Sequence, residues 1–311
     1  MSTHHAFGLS LELEEGIEAG ELPEGSGAAG PPTHVRLAAQ GELDARWPAE
    51  RARTTREVRE AERLLLAVAR APDCGYLLTI PALGRFLISI DGDEVACEPA
   101  AQDWIRALTA QALPLAATVR GLEPFHASAV VFDGSALAIA GAGGLGKTSL
   151  AAHLVGAGAE LLTDDVLVVE PDEDGLRAHP GAGWLRLRSA EAGRVLALYG
   201  GRFQPVRPGD ERAQFAVPSC DEHAPLRALY LLRRGTTTPL DIEPLEAVPP
   251  AELLGATYNL SVREPDRLNR QLDLCQRLAR VLPIFRLHVR PGVGAESLAS
   301  RVADHFRALT A

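Results

Sequence analysis

The residues best suited to chemistry stand together at positions 141 to 148: Gly141-Ala142-Gly143-Gly144-Leu145-Gly146-Lys147-Thr148. They fit G-x-x-x-x-G-K-[ST], the pattern of a loop that cradles phosphates. Such a loop works because successive backbone N–H groups face one concave surface at the positive end of a helix. Gly141, Gly143, Gly144 and Gly146 let the main chain wrap an anion without Cβ clashes. Lys147 can reach the β- and γ-phosphates of a nucleotide, the Thr148 hydroxyl can ligate Mg²⁺, and Ser149 adds a second hydroxyl. Lys147 is the single lysine of the chain; every other basic side chain is arginine. A compact ammonium suits this loop, and a forked guanidinium does not fit it.

A second constellation, Asp164-Asp165, lies seventeen residues beyond Lys147. Two carboxylates beside a γ-phosphate have two natural tasks. One holds Mg²⁺, and the other accepts the proton of an attacking hydroxyl. His126 opens an apolar stretch ahead of the loop; taken alone, a histidine there is more often structural. Arg186, Arg188, Arg202, Arg207 and Arg212 are candidates for neutralising charge on a transferred phosphoryl group.

These side chains need elements to hold them. Ala136 to Ala140 reads as a buried strand entering the loop, and Thr148 to Val155 as a helix leaving it, stopped by Gly156-Ala157-Gly158. His126 to Val131 predicts a strand joined to the loop strand by an Asp133-Gly134 turn. Glu160 to Leu162 leads as a strand into the Asp pair, and Val166 to Val169 continues it. Farther on, Trp184 to Leu187 begins a strand or helix, and Tyr199 to Asp210 reads as a substrate loop. Leu226 to Leu232 and Ile284 to Val289 read as strands; Ala251 to Leu260, Pro265 to Val281 and Ala295 to Leu309 read as helices.

The region before the loop carries no catalytic signature. Phe7 to Leu13 alternates as a strand, Glu14 to Pro32 is an acidic loop rich in Gly and Pro, and His34 to Leu37 is a further strand. Thr55 to Ala71 predicts a helix, with Val58, Ala61, Leu64, Leu65 and Val68 on one face. Tyr76 to Ile80, Arg85 to Ile90 and Glu94 to Glu98 predict a three-stranded meander, followed by a helix from Ala101 to Val119.

At 311 residues, with 46% hydrophobic residues, the chain has ample material for a large core or two ordinary ones. Its formal charge of −10 argues against non-specific nucleic-acid binding. No apolar run reaches the length of a membrane-spanning helix, and Met-Ser-Thr-His-His lacks the features of a secretory leader. A cytoplasmic protein without a membrane partner is expected. Cys74, Cys97, Cys220 and Cys275 are scattered, as structural thiols in a reducing compartment would be.

His126-Ala127-Ser128-Ala129-Val130, the phosphate loop, Leu154 to Gly158 and Leu161-Leu162-Thr163-Asp164-Asp165 together resemble the catalytic domain of HPr kinase/phosphorylase. The specific resemblance spans residues 122 to about 170. The remainder is similar to a looser clan of kinases that includes enzymes modifying lasso-peptide precursors. The chain departs from the family at Ser149, where Glu is usual. The resemblance implies an α/β P-loop kinase domain related in fold to phosphoenolpyruvate carboxykinase over 119–311; the elements read before it make a smaller α+β domain over 1–118, which gives no sign of the family's usual N-terminal domain. It implies Asp164 as general base, Asp165 as the Mg²⁺-side carboxylate, and His126 near the transferred phosphate. The expected protein is an ATP- and Mg²⁺-dependent kinase acting on a Ser or Thr hydroxyl of a peptide or protein. Two other readings use the same motifs: a kinase for a free amino acid or sugar, and a non-catalytic nucleotide-binding module that recognises peptides. The sequence leaves homo-oligomerisation open.

Overall fold

In the computed structural model, Phe7 and Gly8 both take left-handed backbone angles (φ 56° and 76°). That mirror-image turn joins β1 (Ser2–Ala6) to β2 (Leu9–Leu13) as a hairpin. The structure describes residues 1–25, 30–173, 175–207, 212–235, 241–258, 261–289 and 292–311. It is a mixed α/β protein with several sheets and divides into two units. Residues Met1–Pro124 with Asn259–Arg270 form one, and Phe125–Tyr258 with Gln271–Ala311 the other.

The first unit carries an eight-stranded sheet, ordered β1-β2-β3-β8-β7-β6-β5-β4. Its other strands are β3 (Thr33–Leu37), β4 (Arg53–Glu60), β5 (Arg63–Ala71), β6 (Gly75–Ile80), β7 (Gly84–Ile88) and β8 (Glu94–Pro99). β3 runs parallel to β2 and β8; the strands from β4 to β8 form an antiparallel meander. The helices are short: α1 (Glu42–Arg46), α2 (Ile105–Ala107) and α3 (Leu113–Val119), the last two joined through a π-helical turn, Leu108–Ala112.

One expectation fails here. The segment 55–71 is no helix but the β4–β5 hairpin, with Glu60 opposite Arg63 and Ala61 left-handed at φ 51°. Ala, Glu, Arg and Leu dominate it, all strong helix formers, and the turn lacks Gly, Asn or Asp. Pairing of β5 along β6 overrides the local preference. Of the five apolar residues expected on one helix face, only Val68 is buried. The Glu14–Pro32 segment is a loop up to residue 25, yet it buries Ile17, Ala19 and Leu22; residues 26–29 lie outside the described residues.

The second unit contains β10 (Ala127–Phe132), β11 (Ser135–Ala140), β12 (Glu160–Thr163), β13 (Leu167–Asp172), β14 (Gly175–Ala178), β18 (Ala224–Arg234), β19 (Asp241–Pro244) and β20 (Ile284–Val289). With the two-residue β9 (Pro124–Phe125) they make a nine-stranded sheet. β11 is parallel to β18, which is parallel to β20, and β10 lies antiparallel to both β11 and β12. The β10–β11 turn is the expected Asp133-Gly134 pair, both left-handed. A separate sheet of three strands, ordered β15-β17-β16, is built from β15 (Trp184–Arg188), β16 (Gln204–Arg207) and β17 (Arg212–Ala216).

Alternation on β11 divides the core. Leu137 and Ile139 join the cluster formed with α4 (Lys147–Gly156), α5 (Ser189–Tyr199) and α8 (Ala295–Thr310). Ala136, Ala138 and Ala140 face the other cluster, with Leu253 of α6 (Pro250–Leu254) and Leu274 and Leu278 of α7 (Pro265–Val281). Helix α6 ends earlier than expected, and residues 259–260 lie outside the described ones.

Candidate functional site

Strand β11 is apolar from Ala136 to Ala140 and sits between β10 and β18, so its end is fixed in depth and direction. The loop springs from that end. Gly141 adopts φ 151°, and a Cβ there would lie 2.9 Å from the Leu232 carbonyl oxygen, so only glycine fits against β18. Gly144 and Gly146 are also left-handed, at φ 77° and 99°, with open space where a side chain would be. Gly146 caps α4, and Lys147 and Thr148 form its first turn. The N–H groups of that turn have no partner within the helix, which suits an anion.

Lys147 is buried, and its Nζ donates to the Gly141 carbonyl at 2.9 Å, folding back across the loop. Burial lowers its pKa, while the carboxylates of Asp165 and Asp164 oppose that shift.

The Asp pair is carried into place by strand register. β12 pairs with β10 so that Thr163 lies opposite Ala129, next to Ser128. The Ser128 hydroxyl donates to Asp164 Oδ1 at 2.6 Å, and the Thr148 hydroxyl donates to the same oxygen at 3.1 Å. Burial, reinforced by the neighbouring charge of Asp165, pushes the Asp164 carboxyl up to about 7. Asp165 holds a left-handed backbone at φ 65°, uncommon for a residue with a Cβ and a conformation that concentrates at functional sites. Its carbonyl oxygen accepts from His126 Nδ1 at 3.2 Å. The His126 pKa is lowered, first by burial and then by the Lys147 charge.

A cavity of ≈ 350 Å³ brings these groups together. Gly143, Gly144, Gly146, Lys147, Thr148 and Ser149 line it, with His126 and Asp165, and so do Arg186, Arg188 and Arg212. Gly141 and Asp164 are not in the lining: Gly141 wedges the loop against β18, and Asp164 stands behind Thr148. Arg202 is drawn elsewhere, donating to the Ala159 carbonyl. Residues 208–211 and the side chain of Arg207 lie outside the described residues, so the expected 199–210 loop is seen only as far as β16.

The residues fit a nucleotide with a divalent cation. The glycine conformations leave the loop concave, and two oxygen donors, Thr148 Oγ1 and Asp164 Oδ1, sit in contact as a hard cation requires. Burial penalises the ionised form of the Asp164 carboxyl, and a cation beside it would favour that form. Ser128 was not singled out in the sequence. Its only signal was one hydroxyl in a strand whose other residues are Ala, Val and Phe.

No protein-family model matches the chain, and no curated protein matches it. Among solved structures, the Hpr(Ser) kinase/phosphatase from Coxiella burnetii is similar, with 16% sequence identity, a TM-score of 0.34, and coverage of 61% of this chain and 99% of that chain. Among the described residues, no helix is long and apolar enough to cross a membrane.

Proposed function

We propose that the protein is an ATP- and Mg²⁺-dependent phosphotransferase that delivers the γ-phosphoryl group to a Ser or Thr hydroxyl of a peptide or protein, its second unit being a P-loop kinase domain of the HPr kinase type. The observation that carries the reading is the Thr148–Asp164 hydrogen bond behind a loop whose one lysine is Lys147. A phosphate cradle alone would serve any anion; a carboxylate bonded to the loop threonine adds a cation site beside it.

When bound, MgATP supplies the transferable phosphoryl group and a divalent charge that offsets its oxygens. The chain does the rest. Loop amides and Lys147 hold the phosphates, Thr148 and Asp164 hold the cation, and the cavity aligns donor and acceptor. The Thr148–Asp164 contact favours Asp164 on the metal side and leaves Asp165, in the cavity wall, to take the hydroxyl proton. That reverses the division implied by the family resemblance. The raised pKa of Asp164 belongs to the metal-free carboxylate, and a cation beside it would draw the value down. His126 lies within the cavity, beside Asp165, where it can hydrogen-bond a phosphoryl oxygen.

The test is transfer of label from γ-labelled ATP to Ser- and Thr-containing peptides, with Lys147→Ala as control. Label on peptide hydroxyls, absent with the variant, supports the reading. Nucleotide binding with no transfer to any hydroxyl compound would leave only a nucleotide-binding module.

A further inference from the structure

The cavity that holds the phosphate loop is more basic than one transferred phosphoryl group requires. On β15, Arg186 and Arg188 are two residues apart and project from one face. On β17, Arg212 pairs directly opposite Arg188. All three guanidinium side chains line the cavity, where the lone carboxylate in the lining is Asp165. Like charges directly opposite on paired strands are destabilising. Several arginines elsewhere in the chain are ion-paired: Arg36 and Arg46 with Glu42 and Glu94, Arg85 with Asp44, Arg177 with Asp172, and Arg233 with Glu252. Among the described residues, Arg188 and Arg212 have no ion-pair partner, and both are exposed. Arg186 is half-buried beside them. A protein of formal charge −10 thus keeps an uncompensated cationic pair at the rim of its phosphate cavity.

We propose that Arg188 and Arg212 bind carboxylates flanking the acceptor hydroxyl, so that the substrate is a Ser or Thr in an acidic peptide segment. The inference rests on the kinase reading above and names its substrate class. A guanidinium grips a carboxylate through parallel N–H···O bonds, which fixes orientation as well as charge. Two of them on adjacent strands can hold acidic side chains on either side of one hydroxyl. The deeper Arg186 is left for the phosphoryl oxygens. The cationic rim also draws an acidic segment to the cavity against the overall negative charge, an attraction that weakens as salt is raised.

The probes are a labelled peptide with serine flanked on both sides by glutamates, and its counterpart with glutamines. Binding of each is measured by fluorescence anisotropy in the presence of MgADP, and MgADP affinity is measured separately by calorimetry. The wild type should bind the glutamate peptide at least about tenfold more tightly. Arg188→Gln with Arg212→Gln should abolish that preference while leaving MgADP affinity within about twofold of wild type. Arg188→Glu with Arg212→Glu should turn the preference toward a lysine-flanked serine peptide. Equal binding of the two probes by the wild type overturns the proposal, as does a fall in MgADP affinity matching the fall in peptide affinity, which would assign both arginines to the nucleotide. Selective binding of the glutamate peptide without its phosphorylation by MgATP would sustain the acidic site and sink the kinase reading instead.

Discussion

Asp164→Asn should stabilise the ligand-free protein, and only at neutral and alkaline pH. In the folded protein the Asp164 carboxyl is pushed from 3.8 up to about 7, by burial first and by Asp165 second. The folded state therefore binds this proton more tightly than the unfolded state. Stability is undiminished below about pH 4, falls as pH rises toward 7, and carries the full penalty above 7. A shift of about three units at about 1.4 kcal/mol each gives an upper bound of about 4 kcal/mol, and local relaxation brings the expectation to about 2–4. Asparagine removes the charge at every pH. Its Oδ1 can still accept from both Ser128 and Thr148, so the hydrogen bonds survive. The assay is thermal unfolding of both proteins in metal- and nucleotide-free buffer at pH 4 and pH 8. At pH 8 the variant should melt higher by about 4–16 °C, using about 2–4 °C per kcal/mol for a unit of this size. At pH 4 the two should coincide. A variant less stable than wild type at pH 8, or a gain equal at both pH values, refutes the argument that a buried, cation-seeking carboxylate sits behind the loop.

The other expectations address parts of the site separately. Lys147→Arg should lose nearly as much phosphotransfer as Lys147→Ala, as initial-rate measurements would show, because the folded-back path to Gly141 admits an ammonium and not a fork. In a Mg²⁺ titration of kcat, the Asp164→Asn defect should shrink as Mg²⁺ rises. The Asp165→Asn defect of about 10²–10⁴ should persist at all concentrations, and rescue of Asp165→Asn instead would restore the reverse division of roles. Gly141→Ala should weaken nucleotide binding by at least about tenfold in calorimetry, since its Cβ would press on the Leu232 carbonyl at 2.9 Å and displace the loop.

What could be read from the sequence was local. The phosphate loop is contiguous, the Asp133-Gly134 turn follows from backbone angles those residues favour, and α7, β20 and α8 follow from periodicity. What could not be read depended on pairing across the chain. The β4–β5 hairpin is written in helix-forming residues, and only its partner β6 decides the matter. Helix α5 leaves no legible signal because Gly193 interrupts it and Leu196 and Leu198 face solvent, so it has no continuous apolar stripe. Residues 259–270 group with the first unit although most of their sequence neighbours belong to the second, which no linear inspection reveals. At the site, the Asp pair was visible, but which carboxylate meets Thr148 depends on the β10–β12 register, and so does the part played by Ser128. The arginines were visible as a basic stretch. Their selection into Arg186, Arg188 and Arg212, with Arg202 turned to a main-chain carbonyl, is a property of the three-stranded sheet.

The central claim is that the loop and the carboxylate behind it form one site for a nucleotide triphosphate with its cation. It is tested most directly by calorimetric titration of ATP into the wild type with and without Mg²⁺, beside Lys147→Ala, with melting temperatures recorded on the same samples. The account predicts Mg²⁺-dependent binding by the wild type and stabilisation of about 2.7 kcal/mol at a hundredfold excess over Kd, both lost in the variant. Absence of binding at millimolar MgATP, or equal binding by Lys147→Ala, would contradict it.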